Sequence, residues 1–181
     1  MVGAPQEQVA RDLRDLQDCL DVFEALPLPV IAGLHGFVIG GGIILAACCD
    51  FRIASRRAIF SLPEVKRGIG VVMGMQRVTR LVGVATCKEW ALLGENFSAA
   101  VAYEQGLVHR LVAPEDLDAE LNKLAQKFAK LPRSAVAVNK QIINRGYAMD
   151  LRESQDHEIE LQLGLLDGED FRRAMAAFFK Q

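Results

Sequence analysis

Three consecutive glycines, Gly40 to Gly42, are the feature that most constrains the fold of this 181-residue chain. They lie between residues 30–36, which read as a short buried strand, and residues 43–49, an apolar run that predicts a short buried helix. Glycines at such a junction let another backbone approach closely, and the N–H groups that begin a helix can hold an anion or a developing oxyanion. Close packing of the helix on the sheet explains the same spacing, so both interpretations remain open. The pattern is neither GxGxxG nor a P-loop.

The rest of the hydrophobic pattern predicts an α/β region followed by helices. Apolar residues at three- and four-residue steps predict a helix over residues 6–25. The predicted strands are 51–55, 58–62 and 107–112, and the predicted helices between them are 75–82, 86–93 and 99–105. Further helices are predicted near 115–130, 133–148, 152–166 and 169–179. We therefore expect an α/β region over residues 1–113 and a helical region over residues 114–181.

Composition favours a buried core and gives no drive toward nucleic acid or membranes. Apolar residues make up 51% of the chain, and the 21 Lys and Arg nearly balance the 23 Asp and Glu. The four cysteines form no CxxC pair, which predicts reduced and mostly buried thiols without a metal. The first residues read as neither a signal peptide nor a transit peptide, and no apolar run is long enough to span a bilayer. We expect a cytoplasmic protein with no metal and no nucleic-acid or membrane partner.

Glu64 is the candidate acid–base residue. It is the only acidic residue between Asp50 and Glu89, a stretch that contains eight basic residues. It follows the predicted strand 58–62 and stands at the edge of an apolar segment, where loss of water favours a neutral carboxyl group and suits it to proton transfer. A surface glutamate paired with Lys66 or Arg67 would explain the same residues. The two interpretations differ in whether the side chain faces a pocket or the solvent.

Six segments together resemble the crotonase (enoyl-CoA hydratase/isomerase) superfamily. They are 29–42, 49–54, 60–65, 76–83, 102–108 and 169–179, so the likeness runs from about residue 26 to the end of the chain. The resemblance implies an α/β fold of the crotonase-like ββα superhelix type, shortened at its N-terminus, with a helical C-terminal trimerisation region. It also implies an acyl-CoA thioester as substrate, with coenzyme A as part of that substrate and no other cofactor. The implied assembly is a homotrimer or a dimer of trimers.

The resemblance also implies roles for particular residues. The N–H of the middle glycine, Gly41, would hold the thioester carbonyl in an oxyanion hole, and Glu64 would move a proton. The residues expected to contact the substrate are Gly40, Gly41, Ile44, Pro63 and Val72. The apolar loop 68–75, which contains Val72, is expected to line the acyl pocket.

Two departures from the family pattern bear on the reaction. Hydratases of the family carry a glutamate three residues after the middle glycine, where this chain has Ile44. Two carboxylates can activate water for addition to a double bond, whereas one carboxylate can carry a proton between carbons. The resemblance therefore favours a Δ3,Δ2-type enoyl-CoA isomerase, with a hydratase or a non-catalytic acyl-CoA-binding or assembly subunit as alternatives. Family members also carry an earlier segment with the second oxyanion N–H, and we expect this chain to be a fragment or a shortened member.

Overall fold

The computed structural model describes residues 3–179, except for the side chain of Ala177. The elements up to the middle of the chain are α1 (Gln6–Glu24), β1 (Ile31–Leu34), β2 (Phe37–Ile39), α2 (Gly41–Ala47), β3 (Phe51–Ser55), β4 (Ile59–Ser61), a 3₁₀ turn (Pro63–Arg67) and α3 (Met75–Leu93). The elements after it are β5 (Asn96–Ser98), α4 (Ala99–Glu104), β6 (Arg110–Val112), a second 3₁₀ turn (Pro114–Asp116), α5 (Leu117–Ala129), α6 (Arg133–Gly146), α7 (Leu151–Leu166) and α8 (Glu169–Phe178).

The strands form two small sheets of three strands each. One sheet has the order β1-β3-β6 with parallel pairing, and the other has the order β2-β4-β5, in which β5 is antiparallel. The pairs β1–β2 and β3–β4 each give one strand to each sheet and are each followed by a helix, which is the expected ββα repeat. Because β2 and β4 are parallel and Ile39 lies opposite Ser61, the segments after both strands begin at the same edge of their sheet.

The core is built from the apolar faces of these strands and from α2 and α3. Its largest fully buried side chains include Phe60, Ile43 and Ile53. Phe97 stacks between Phe60 and Trp90, with ring centroids 5.7 Å and 4.0 Å away respectively. Burial of aromatic and branched aliphatic side chains is the main source of stability in such a core.

The structure confirms the predicted α1 and places most of the later elements within a few residues of the predicted ones. The two helices expected on either side of Gly83 are instead one helix with a kink, since Gly83 has non-helical angles (φ 79°, ψ 164°) and the helix resumes after it. Two three-residue strands, β2 and β5, were not predicted. The last strand, expected over 107–112, begins only at Arg110.

The chain divides into two compact units. The first comprises the residues up to Glu24 and Val30–Ala125, and the second comprises Ala25–Pro29 and the residues from Gln126 onward. The division falls inside α5, beyond the expected boundary at residues 113 and 114, which stays a prediction. Within the second unit, Lys140 Nζ donates to the carbonyl of Leu28 at 3.1 Å. Among the described residues, no helix has the length and apolar character needed to cross a membrane.

Candidate active site

Gly40 lies at the end of β2 and precedes the first turn of α2. Its N–H donates to the Ser61 carbonyl at 2.9 Å, and its own carbonyl accepts from Ile43 at 2.9 Å and from Ile44 at 3.3 Å. Its backbone angles (φ 53°, ψ −115°) lie in a region that side chains disfavour, which explains a glycine here. Gly40 therefore ties the end of β4 to the start of α2.

Glu64 is brought to this point by the 3₁₀ turn that follows β4. The turn packs against Gly94 at the end of α3, where an added methyl group would lie 3.2 Å from Pro63 Cα and 3.1 Å from Val65 Cγ1. The Glu64 side chain reaches Gly40 so closely that a methyl group on Gly40 would collide with Oε1. Glu64 Oε2 is buried and has no hydrogen-bond partner. The carboxyl group is therefore directed at the start of α2 and away from bulk solvent.

Gly41 is the first residue of α2, so its N–H has no acceptor inside its own helix. It follows Gly40 directly, which places this donor one residue from the Glu64 carboxyl group. A third side chain approaches the same turn, because a methyl group on Gly41 would lie 3.1 Å from Met73 Cε. The start of α2 thus combines a free peptide donor, a carboxyl group and an apolar side chain within one short segment.

The loop that carries Met73 is attached to α1. Gln17 Nε2 donates to the carbonyl of Val72 at 2.7 Å. In the first turn of α3, Arg77 Nε donates to Glu24 Oε2 at 2.8 Å, and Arg77 Nη2 contacts Asp21 Oδ1. Burial alone would lower the pKa of Arg77, but the hydrogen bonds to Glu24 and Asp21 raise it. These contacts hold the loop and the helix after it against α1.

The opposite end of α2 is held by a buried arginine. Arg52 is 2% exposed, and its guanidinium donates to the carbonyls of Leu107 at 2.6 Å, Ala46 at 3.2 Å and Cys49. Ala46 and Cys49 lie in and just after the last turn of α2, where carbonyl groups lack partners within the helix. Arg52 therefore satisfies carbonyls at one end of the helix whose other end carries the candidate site.

The predicted site residues are placed in different surroundings. Gly40, Gly41 and Glu64 come together, and Pro63 is half-buried in the turn that carries Glu64. Val72 is 49% exposed, whereas Ile44 is completely buried in the core cluster. Contact of Ile44 or Val72 with a substrate stays a prediction, and Met73 is the residue that the sequence prediction did not select. The apolar composition of loop 68–75 pointed to the loop but could not choose among its side chains.

The cysteines lie outside the cluster formed by Gly40, Gly41 and Glu64 and differ in burial. Cys48, Cys49 and Cys87 are buried and Cys19 is exposed, all as free thiols. Burial raises the pKa of the Cys48 thiol to about 11, so it is protonated at neutral pH. Within residues 3–179, no three His, Cys, Asp or Glu side chains are grouped so that they could hold a metal ion.

Solved structures share this fold over nearly the whole chain. An enoyl-CoA hydratase from Bacillus anthracis superposes with a TM-score of 0.92 and 33% identity, covering 99% of this chain and 70% of that one. An enoyl-CoA hydratase from Mycobacterium smegmatis gives a TM-score of 0.94 at 29% identity, with the same coverage of both chains. These likenesses confirm the predicted crotonase-like fold.

Sequence relatives agree with the structural ones. A crotonyl-CoA hydratase of Syntrophomonas wolfei is 35% identical over 168 residues, which cover 91% of this chain and 64% of the relative. A probable enoyl-CoA hydratase of Rhizobium meliloti is 41% identical over 153 residues, covering 83% of this chain and 59% of the relative. The chain thus spans about three fifths of the length of these relatives. The family model described as enoyl-CoA hydratase/isomerase matches residues 3–181, and the chain belongs to that family.

Proposed function

We propose that this chain binds an acyl-CoA thioester and moves its double bond, as a Δ3,Δ2-type enoyl-CoA isomerase that uses one carboxylate. The observation that carries the proposal is the position of Glu64, whose carboxyl group reaches Gly40 and whose Oε2 atom is buried without a partner. A buried oxygen without a hydrogen bond is costly, and a catalytic role is one of the reasons for which proteins keep such a group. The adjacent Gly41 N–H supplies the donor that a thioester oxygen requires.

The proposed reaction needs only these two groups at the reacting atoms. The Glu64 carboxylate removes a proton from the carbon between the thioester carbonyl and the double bond of a 3-enoyl thioester. The electron pair moves toward the carbonyl, and the Gly41 N–H stabilises the resulting enolate oxygen. Glu64 then returns the proton to the far carbon of the former double bond, which yields the 2-enoyl thioester. Atoms and charge balance, and the reaction uses coenzyme A only as part of the substrate.

The residue at position 44 supports one carboxylate over two. Ile44 has no exposed surface and packs in the core cluster. An aliphatic side chain there neither holds a water molecule nor transfers a proton. Glu64 is also the only acidic residue between Asp50 and Glu89 in the sequence. A single acid favours proton transfer within the substrate over addition of water.

Hydration of a 2-enoyl thioester is the second candidate function. It is favoured by the names of the relatives, among them a crotonyl-CoA hydratase, a short-chain-enoyl-CoA hydratase and a probable enoyl-CoA hydratase. In this chain Glu64 would have to activate the water alone. If this chain is a hydratase, Ile44→Glu supplies a second carboxylate and should raise the rate of hydration. If it is an isomerase only, its isomerisation should not depend on the residue at position 44.

The proposal has two further parts. We propose a homotrimer or a dimer of trimers in the cytoplasm, with contacts made by the C-terminal helices. Exposed apolar side chains on α6 and α7 support such contacts, since Ile143 is 70% exposed and Ile159 is 59% exposed. Sedimentation equilibrium tests this part, and a monomer at all concentrations would contradict it.

The decisive experiment compares wild type, Glu64→Gln and Glu104→Gln in two assays. One follows conversion of a 3-enoyl-CoA to the 2-enoyl-CoA, and the other follows hydration of a 2-enoyl-CoA. We expect isomerisation by wild type and a loss of about 10²-fold or more in Glu64→Gln, because amide nitrogen cannot take the proton. Glu104 is exposed on α4, so Glu104→Gln serves as the matched control and should retain full turnover.

The outcomes separate the alternatives. Hydration faster than isomerisation would select the second candidate. Unchanged isomerisation by Glu64→Gln would remove this residue from the mechanism. Calorimetric binding of an acyl-CoA without turnover in either assay would select a non-catalytic acyl-CoA-binding subunit.

A further inference from the structure

Met73 contacts the peptide that the proposed reaction uses. A methyl group on Gly41 would lie 3.1 Å from Met73 Cε, which means that the thioether methyl already lies against the Gly41 backbone. Met73 is half-buried, and its side chain packs against the hydrophobic core. Its end therefore occupies space directly beside the first residue of α2.

Two side chains of opposite character thus approach adjacent residues. The Glu64 carboxyl group contacts Gly40, and the Met73 methyl group contacts Gly41. When the Gly41 N–H holds a thioester oxygen, the substrate atoms nearest to this peptide are the carbonyl carbon, the sulfur and the α-carbon. A side chain that lies against Gly41 therefore meets the start of the acyl group and not its distant end.

The position of Met73 is fixed by its neighbours along the chain. The preceding carbonyl, that of Val72, accepts from Gln17 at 2.7 Å. The helix that begins two residues later is held by Arg77, which pairs with Glu24 at 2.8 Å and with Asp21. The loop is therefore anchored on both sides of Met73, and a change of side chain at this position alters the space beside Gly41 more than it moves the loop.

We propose that Met73 is a specificity-determining residue that limits the bulk a thioester can carry on its α-carbon. The inference rests on the proposed function, because it takes the Gly41 N–H as the ligand of the thioester oxygen. An unbranched, apolar thioether fills the space beside an unsubstituted α-carbon and leaves little room for a branch there. The substrate class is accordingly an acyl-CoA without a substituent at the α-carbon.

The test measures binding of butyryl-CoA and 2-methylbutyryl-CoA by calorimetry. The two thioesters differ at the α-carbon, where the second carries a methyl branch. We expect wild type to bind butyryl-CoA about tenfold more tightly, the effect typical of one methyl group in an apolar pocket. Met73→Ala should remove most of this preference by opening the space beside Gly41.

Met75→Ala is the matched control. Met75 is also a partly buried methionine that packs against the core, but it stands at the start of α3. We expect Met75→Ala to change both dissociation constants together and to keep the preference. Met73→Leu is a second variant for the case in which Met73→Ala does not fold, since leucine conserves volume but ends one atom short of the methionine methyl. It should reduce the preference in the same direction.

Each result supports or overturns the proposal. A preference unchanged in both Met73 variants, or lost equally in Met75→Ala, would overturn it. Equal binding of the two thioesters by wild type would overturn it while leaving the proposed function intact. Wild type that binds neither thioester would overturn the proposed function, and with it this inference.

Discussion

The two compact units differ in how they bury apolar side chains. Among the described residues, the nearly or fully buried apolar side chains all belong to the first unit, from Leu20 to Leu124. In the second unit, α6 and α7 contain no fully buried residue. Large apolar side chains of these helices are exposed to solvent, with Ile143 70% exposed and Leu151 77% exposed. One unit closes a core with its own residues, and the other presents apolar surface.

This difference indicates what stabilises each unit. The first unit holds its site at the start of α2 against a packed core, so the geometry of the site depends on the volume of core side chains. Exposed apolar groups such as those of the second unit contribute little to the stability of an isolated chain and are typical of interaction surfaces. Substitutions of the same kind should therefore have unequal effects in the two units.

The largest difference is expected from truncation of an apolar side chain. Phe60 is completely buried and lies beside Phe97, so Phe60→Ala should lower the free energy of unfolding by about 3–5 kcal/mol. Ile159 is 59% exposed on α7, and Ile159→Ala should cost less than about 1 kcal/mol. Urea unfolding at low protein concentration measures both. Equal losses would show that the second unit has a core of comparable importance.

Removal of a buried arginine should give the next largest effect. Arg52→Met removes the donor to the carbonyls of Leu107, Ala46 and Cys49. Ala46 still accepts from the Cys49 N–H at 3.1 Å, but a buried carbonyl that is left unpaired costs about 1–3 kcal/mol. We expect a loss of at least about 2 kcal/mol in urea unfolding. Arg145 is exposed on α6, and Arg145→Met should change stability by less than about 0.5 kcal/mol. A tolerated Arg52→Met would mean that α2 does not need this anchor.

The rates at which thiols are alkylated should show how well the core of the first unit excludes solvent and reagents. Cys19 is exposed, whereas Cys48 is buried and its pKa is raised to about 11 by burial. Because only the thiolate reacts, iodoacetamide at pH 8 should modify Cys48 about a hundredfold more slowly than Cys19. Mass spectrometry of peptides from the native protein measures the two rates. Similar rates would reveal local opening around α2.

The smallest effect is expected from the protonation of His109. The backbone N–H of Arg52 donates to His109 Nδ1 at 3.1 Å, so this ring nitrogen must be unprotonated in the folded state. Loss of water around the ring lowers the pKa of His109, and the charges of Arg52 and Arg110 lower it further. The folded state then binds fewer protons than the unfolded state as pH falls below the ordinary value of 6.5. The stability gained from neutral His109 is present above that pH and is lost as the pH falls through the lowered pKa.

His109→Asn tests this pH dependence, because its amide oxygen can still accept from Arg52 but does not titrate. Urea midpoints at pH 7.5 and 5.5 should fall less in the variant than in wild type. A fall of the same size in both proteins would assign the pH dependence to other groups.

Most of the fold followed from patterns that depend on local physics. The three- and four-residue steps of Leu13, Leu16 and Leu20 predicted α1 because an amphipathic helix must bury one face. The strand β5 was missed because three residues, Asn96–Ser98, are too few to show alternation. The kink at Gly83 was interpreted as a helix end because a glycine that kinks a helix and a glycine that ends one look alike in the sequence.

The candidate site was only partly predictable for a related reason. Glu64 and the glycines could be selected because each follows a strand, and the parallel pairing of β2 and β4 brings those strand ends together. Met73 could not be selected, since nothing in an apolar loop indicates which side chain turns toward Gly41. That choice depends on the bond between Gln17 and the Val72 carbonyl, which joins residues 55 positions apart.

The collision between a methyl group on Gly40 and Glu64 Oε1 has a consequence for how this chain can vary. Positions 40 and 64 are coupled: a side chain at the first, where the backbone angles already disfavour one, also requires that the acid at the second is shortened or withdrawn. A selection for the proposed activity, with both codons randomised, should return glycine at position 40 together with glutamate at position 64. Any surviving alanine at position 40 should be accompanied by a smaller residue at position 64.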